Sequence, residues 1–324
     1  MTIDKAEVKR ILFITLSNVG DIIMTTPVIA VLAREFPSAR IDVMAGPRGK
    51  ELFDRDPRVF KLILYDKHIS LKEKARLQIK LKKLRYDLVV DVRNTVLPLL
   101  IGPKYRTATI QSFPKSLIHK KGRHLHRLRS LGIDGTSGYR VFVPEADDRY
   151  AALLLEEAPV ASRTVVVNPG ARSHLKRWTQ DGFAKVCDRL IEECGARVML
   201  VGVQEDARVI DEVMSKMKKK PVNLVNRTNI RQLAALLKRS DLLITNDSAP
   251  MHLGCAAGVK VLAIFGPTDP GKYGPTGEYD EVISKKLSCS PCEKAVCGRN
   301  YECIKLITPD EVFDSAKMMI EGYG

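Results

Sequence analysis

No uninterrupted apolar run in this chain approaches the ~18 residues of a membrane-spanning helix, so no helical span is expected. The first residues lack the apolar centre of a secretory signal, and a cytoplasmic location is the expectation. No Gly-x-Gly-x-x-Gly opens either half, which disfavours a dinucleotide-dependent dehydrogenase. Aromatic residues make up only 6% and are sparse in the basic region, which counts against base stacking on single-stranded nucleic acid. Acidic residues are missing altogether between Arg93 and Ile133, where nine Lys/Arg stand with His119, His124 and His126. Residues 1–150 hold 29 Lys/Arg against 16 Asp/Glu, and the remainder 24 against 22. So one-sided a field attracts an anionic partner: nucleic acid, an acidic membrane surface or an acidic substrate. A merely solvated basic surface is the plainer alternative.

With 324 residues and 45% apolar content, the chain is long enough for two ordinary domains. Ile11 to Pro27 opens a βα unit: a β-branched apolar run, a polar turn Ser17-Asn18-Val19-Gly20, then a helical face of Val28, Ile29, Leu32 and Phe36. Thr26 is expected to cap that helix, with Pro27 in its first turn. Strands are expected at Ile41–Ala45, Val59–Tyr65, Tyr86–Val92 and Tyr105–Ile110, with a lysine-rich helix between Lys67 and Arg85. After an acidic, alanine-rich stretch around 144–163 a second alternation begins at Thr164–Asn168. It continues through helix Asp181–Cys194, strand Ala196–Val201, helix Glu205–Met217, strand Val222–Val225, helix Ile230–Arg239, strand Asp241–Thr245, a helix from Ser248 and strand Val259–Phe265. The expected class is α/β, two doubly wound parallel-sheet domains at 1–155 and 156–324. The last helix, 309–320, is a candidate to pack back on the first domain.

In open α/β sheets ligands gather at the carboxyl ends of strands, and four loops there carry chemistry. Asp21, a lone carboxylate among aliphatics, reads either as a helix-dipole partner or as a general base for an attacking hydroxyl. Asn168 to Trp178 joins a turn at Gly170 to Arg172, Lys176 and Arg177, a set suited to a diphosphate; a solvated loop anchored by Trp178 is the alternative. In Val201–Asp206, Glu205 is either a helix cap or a nucleoside contact. In Ile244–Gly254, Asp247 or Ser248 would cap a helix and leave the amides of Ser248 and Ala249 to meet phosphate, with His252 one turn on. A plain capped helix would leave the same trace. Phe265-Gly-Pro-Thr-Asp-Pro270 ends the next strand with a rigid turn.

Cys289, Cys292, Cys297 and Cys303 crowd into fifteen residues. Four thiols around a Cys-x-x-Cys pair suit a structural zinc, with iron or simply reduced cysteines as alternatives. Disulfides are not expected in a cytosolic chain.

Taken in order, Ser17-x-x-Gly20-Asp21 with Thr26-Pro27, Asn168-Pro169-Gly170 with Lys176-x-Trp178, Asn246-Asp247-Ser248-Ala249-Pro250-Met251-His252, and Phe265-Gly266-Pro267-Thr268 resemble the ADP-heptose:lipopolysaccharide heptosyltransferases of glycosyltransferase family 9. The Cys-x-Pro-Cys element looks most like the heptosyltransferase II branch. The resemblance implies a GT-B fold, two Rossmann-like domains facing a central cleft with the acceptor on the first and the sugar nucleotide on the second. It implies inverting transfer of heptose from ADP-L-glycero-D-manno-heptose with no cofactor required for catalysis. Asp21 matches the family's proposed base and Lys176 its phosphate-binding lysine. Asp247, Ser248, Ala249 and His252 match its donor loop, and Glu205 its nucleoside-side acid. Ala171 and Arg172 stand where some members carry two hydroxyl residues. On the acceptor side the expected contacts are Ser17, Asn18 and Gly20, with Lys120, Lys121 and Arg123. The anionic inner core of lipopolysaccharide and the inner leaflet are the expected partners of the basic segment 104–129, placing the protein peripherally at the cytoplasmic membrane. No nucleic acid is expected. Two other readings are a nucleotide-sugar epimerase of similar architecture, which would need no acceptor, and a basic nucleic-acid-binding protein, whose affinity would fall steeply with salt.

Overall fold

Both sheets of the computed structural model, which describes residues 3–109 and 111–322, are wholly parallel, one in each of two units, Met1–Phe142 and Val143–Gly324. In the first, β1 (Arg10–Ile14), β2 (Arg40–Ala45), β3 (Lys61–Leu64), β4 (Leu88–Asp91) and β5 (Tyr105–Arg106) lie in the order β3-β2-β1-β4-β5. Ile11 to Ile14 and Leu88 to Val90 are completely buried, as the central strands of a sheet covered on both faces must be. The helices are α1 (Val19–Glu35), α2 (Lys50–Phe53), α3 (Leu71–Lys83), α4 (Leu97–Ile101) and α5 (Lys120–His126). Strand order reverses beside β1, the switch point where such sheets bind ligands, and the chain leaves β1 there through Ser17–Asp21. The expected strand at Tyr105–Ile110 is only two residues long, and Ile110 lies outside the described residues.

Helix α1 corrects the expected start. It begins at Val19 with Asn18 as N-cap, so Thr26 and Pro27 lie in its interior and Asp21 in its first turn. An interior proline removes the amide that would bond the carbonyl four residues back. Here that carbonyl is on Ile23, and the Thr26 hydroxyl donates to it at 2.8 Å. Thr25 likewise donates to the Ile22 carbonyl at 2.7 Å. The buried run Ile22, Ile23 and Met24 gives the earlier turns their own apolar anchor.

The second unit contains β6 (Thr164–Asn168), β7 (Arg197–Leu200), β8 (Val222–Asn223), β9 (Leu242–Asn246), β10 (Lys260–Phe265) and β11 (Glu281–Ser284), ordered β11-β10-β9-β6-β7-β8. The edge strand β11 has no counterpart in the sequence reading. Its helices are α6 (Glu145–Glu156), α7 (Gln180–Cys194), α8 (Ala207–Lys216), α9 (Ile230–Lys238), α10 (Ala249–Ala257), α11 (Pro270–Tyr273), α12 (Glu302–Lys305) and α13 (Pro309–Glu321). Helix α6 packs on α9, where Asp147 and Arg231 form a largely buried ion pair at 2.8 Å. The buried face of α13, with Val312, Phe313, Ala316, Met319 and Ile320, belongs to this unit's core beside α7.

Candidate active site

In the first unit the carboxyl ends of β1 and β2 meet closely. A side chain at Gly46 would collide with Ser17, whose Cα lies 2.7 Å from the position a Cβ would take. Glycine there lets the Ser17–Gly20 turn lie flat over β2. Asn18 caps α1 in extended conformation, and its amide donates to the Asp21 carboxylate at 2.9 Å. Asp21 is half-buried in the first helical turn. At the end of β4, the strand next to β1, Asp91 folds the following loop by accepting from the amides of Arg93 (2.7 Å) and Thr95 (2.8 Å) and the Thr95 hydroxyl (2.7 Å).

The expected basic contacts sit on and around α5. The His119 ring caps this helix by accepting from the Lys121 amide at 3.1 Å. Lys121 lies over the Tyr139 ring, and Arg123 lies over Phe113 while donating to the Leu117 carbonyl at 2.8 Å. Arg127 also covers Phe113 but is only 5% exposed, and burial draws its guanidinium below the usual range while Asp91 opposes the shift. Burial, reinforced by Arg127, Lys120 and His119, pushes the His124 imidazole down to about 4.

The second unit assembles its loops through two buried asparagines, Asn168 and Asn246, which the sequence marks as motif residues without a role. The Asn246 amide donates to the Pro169 carbonyl at 2.8 Å, and its oxygen accepts from the Trp178 amide at 2.9 Å, tying both ends of the Gly170 loop to the end of β9. Asn168 donates to the Val201 carbonyl at 2.9 Å. Trp178 is fully buried, bonded from its indole nitrogen to the Ile307 carbonyl at 3.0 Å and set edge-on to Phe183.

This frame aims Lys176, which ends a short 3₁₀ turn at His174–Lys176. Its ammonium is 2.6 Å from Asp247, and the Thr268 hydroxyl donates to the same carboxylate oxygen at 2.6 Å. Asp247 and Thr268 are buried, whereas the lysine side chain is about a third exposed. A buried carboxylate bonded by a hydroxyl fixes one cation while leaving it open on its outer side. Next to it, α10 has Ser248 at its N-cap with no side-chain cap bond and Pro250 in its first turn, the arrangement that presents helix-terminal amides to an anion. Ala249 begins this helix, and His252 is buried one turn further on. Arg172 is exposed on its loop.

Glu205 is exposed on the 3₁₀ turn Gln204–Asp206, and its neighbour Asp206 is the carboxylate packed against the Gly170 turn. A Cβ on Gly170 would stand 2.3 Å from the Asp206 carboxyl carbon, so a side chain there would displace that carboxylate. Burial raises the Asp206 carboxyl, opposed by the Val203 amide and the Arg177 charge.

Cys289, Cys292, Cys297 and Cys303 are all free thiols lining one small cavity with Leu175 and Pro267. The amides of Arg299 and Tyr301 point at Cys297 Sγ, at 3.4 and 3.3 Å. Burial and the other three cysteines raise the Cys303 thiol. Among the described residues, however, no three His, Cys, Asp or Glu side chains stand together as a metal would require. The segment's visible work is mechanical. The Cys292 and Glu293 amides each bond the Pro267 carbonyl at 2.9 Å, and Ser290 bonds the Gly266 carbonyl, holding the loop that carries Thr268.

Residues 123–301, more than half of the chain, match the model of glycosyltransferase family 9 (heptosyltransferase). Among curated proteins, the chain is 27% identical over 311 residues to lipooligosaccharide heptosyltransferase 2 of Campylobacter jejuni, covering 93% of this chain and 95% of the relative. It is 29% identical over 291 residues to lipopolysaccharide heptosyltransferase 3 of Escherichia coli, covering 80% and 83%. Among solved structures, the E. coli ADP-heptose lipopolysaccharide heptosyltransferase II superposes with a TM-score of 0.78 at 24% identity, over 96% of this chain and 98% of that one.

Proposed function

The chain belongs to glycosyltransferase family 9, and from that premise we propose that it transfers a heptose from ADP-heptose to the inner core of lipopolysaccharide by a single inverting displacement. Its fold is GT-B, like that of the heptosyltransferases it resembles. The observation that carries the chemistry is the Lys176–Asp247–Thr268 cluster beside the uncapped start of α10. A sugar nucleotide departs as a diphosphate, and its developing charge calls for a fixed cation and helix-terminal amides.

In this reading the acceptor hydroxyl gives its proton to Asp21, its oxygen attacks the anomeric carbon, and the bond to ADP breaks with inversion. Asn18 holds the base by one carboxylate oxygen, leaving the other for the acceptor. Lys176 and the amides at Ser248 and Ala249 receive the leaving phosphate. Asp247 is a positioning residue that works through Lys176, and Thr268 holds Asp247. Gly170, Arg172, Asp206 and His252 shape the nucleotide side, with Asp206 in the place first given to Glu205. Ser17, Gly20, Lys120, Lys121 and Arg123 serve the anionic acceptor. The cysteine segment buttresses the Thr268 loop.

Incubation with ADP-heptose and a panel of lipid acceptors carrying successively longer inner-core saccharides should release ADP and add one heptose mass to one of them. Turnover of ADP-heptose without acceptor, to an epimerised sugar nucleotide, would sink the transferase reading. Thermal stabilisation should follow ADP-sugars rather than UDP- or GDP-sugars.

A further inference from the structure

Helix α3 carries a pattern that the site above does not use. Leu71, Ala75 and Ile79 stand four apart, hence on one stripe of the helix, and all three face solvent; Leu71 is 83% exposed and Ile79 55%. The opposite face holds the helix to the sheet through buried Leu81 and partly buried Leu77 and Leu84. One position along from the apolar stripe runs a second ridge, Lys72, Arg76, Lys80 and Lys83, all exposed. Between residues 61 and 85 there are nine Lys/Arg and two acids, and the one acid within α3, Glu73, is taken up by the Ser70 capping box. None of the six cations of α3 forms an ion pair among the described residues.

The neighbouring α4 adds to the same surface. Its Leu97 packs on the cluster that holds Leu77 and Leu84, while Val96, Leu99 and Leu100 remain 45–62% exposed. Because α3 follows β3 and α4 follows β4 in a parallel sheet, Leu71 and Val96 stand at the carboxyl rim of the sheet, the rim from which Ser17–Asp21 leaves β1.

We propose that the α3–α4 face docks this protein on an anionic lipid bilayer, its apolar residues entering the headgroup boundary while the Lys72–Lys83 ridge meets lipid phosphates. A helix with an apolar stripe flanked by a cationic ridge is the form that lies in the interface plane. A second copy is an unsuitable occupant, since it would bring the same unpaired cations face to face. Nucleic acid would use the ridge but leave Leu71, Ile79, Leu99 and Leu100 in water. This assigns the leaflet contact to α3–α4 and leaves the α5 segment to the saccharide. It rests on the transferase reading only in that a lipid-borne acceptor explains why the acceptor rim should face a membrane.

Flotation of the full chain with vesicles lacking any saccharide acceptor tests it. Binding is expected to vesicles rich in phosphatidylglycerol, not to phosphatidylcholine alone, and to weaken as salt rises. Lys72→Gln/Arg76→Gln/Lys80→Gln should weaken it ~100-fold, and Leu71→Ser/Ile79→Ser about 10-fold. Stabilisation by ADP should be unchanged in both variants, which also reports that they fold. Failure of the wild type to float, undiminished floating of both variants, or loss of the salt-sensitive binding only when α5 cations are removed would each overturn the assignment. So would self-association that the α3 substitutions abolish. Floating as expected with no heptose transfer would leave the docking surface standing and remove the enzymatic reading instead.

Discussion

The first unit holds 28 Lys/Arg against 13 Asp/Glu and the second 25 against 25, so the entire net charge of +15 lies in Met1–Phe142. Both are doubly wound parallel sheets, so the fold did not require the difference. In the second unit about half of the cations are clasped among the described residues, among them Arg189 with Glu193 and Asp310, Arg227 with Glu157, Arg239 with Asp148, and Lys272 with Glu293. Exposed pairs of this kind add little stability, so their effect is to neutralise a surface. In the first unit α3 and its surroundings leave cations unclasped among the described residues, at a cost in self-repulsion that a bound anion would relieve. The second unit concentrates its electrostatics in one place instead, at Lys176.

The largest expected effect tests the division of chemical labour. Asp21→Ala should lower kcat by about 10³-fold, within the range for a lost general base, while ADP still raises the Tm. Near-normal turnover would remove Asp21 from that role. Lys176→Met should cost about 10²–10³-fold in kcat and also weaken ADP-heptose binding, so the two substitutions separate acceptor from leaving-group chemistry.

Acid should distinguish the units next. His124 is held neutral down to about pH 4, below the 6.5 of an unfolded histidine, so the unfolded state binds the extra proton first. Its contribution is therefore fully present above pH 6.5 and lost as the pH falls towards 4, about 3 kcal/mol in all. Hydrogen exchange should show the first unit loosening over that window, and His124→Gln should flatten its pH dependence.

Thr268→Val should lower kcat about 10-fold by freeing Asp247, with KM for the acceptor unmoved. Smallest of all, Arg239→Ala should shift stability by less than ~1 kcal/mol, as an exposed pair with Asp148 allows. A larger loss would mean that the paired surface of the second unit does more than neutralise.

Much of this was legible beforehand. Period-2 and period-3.6 patterns located the buried strands and the amphipathic helices, because burial on a sheet or against it dictates those periods. Asp21, Lys176 and the Asp247–His252 loop stood out as polar residues directly after apolar strands. The start of α1 was misplaced because Pro27 is an ordinary first-turn signal, and nothing local shows that the Thr26 hydroxyl bonds the carbonyl it orphans. Asp206 drew no notice beside Glu205 because adjacent carboxylates look alike until a turn packs one of them against Gly170.

The sequence alone determined the class of fold, the separation of charge between its halves and the residues able to carry a proton or a phosphate. These depend on composition and on spacing along the chain. Only the tertiary structure decided that Asp247 aims Lys176, that Asn246 ties the Gly170 loop to β9, and that Leu71, Ala75 and Ile79 share an open face while Leu77, Leu81 and Leu84 are covered. Those relations join residues up to 77 positions apart, or depend on which side of a helix the sheet occupies. They are fixed by packing and have no local signature.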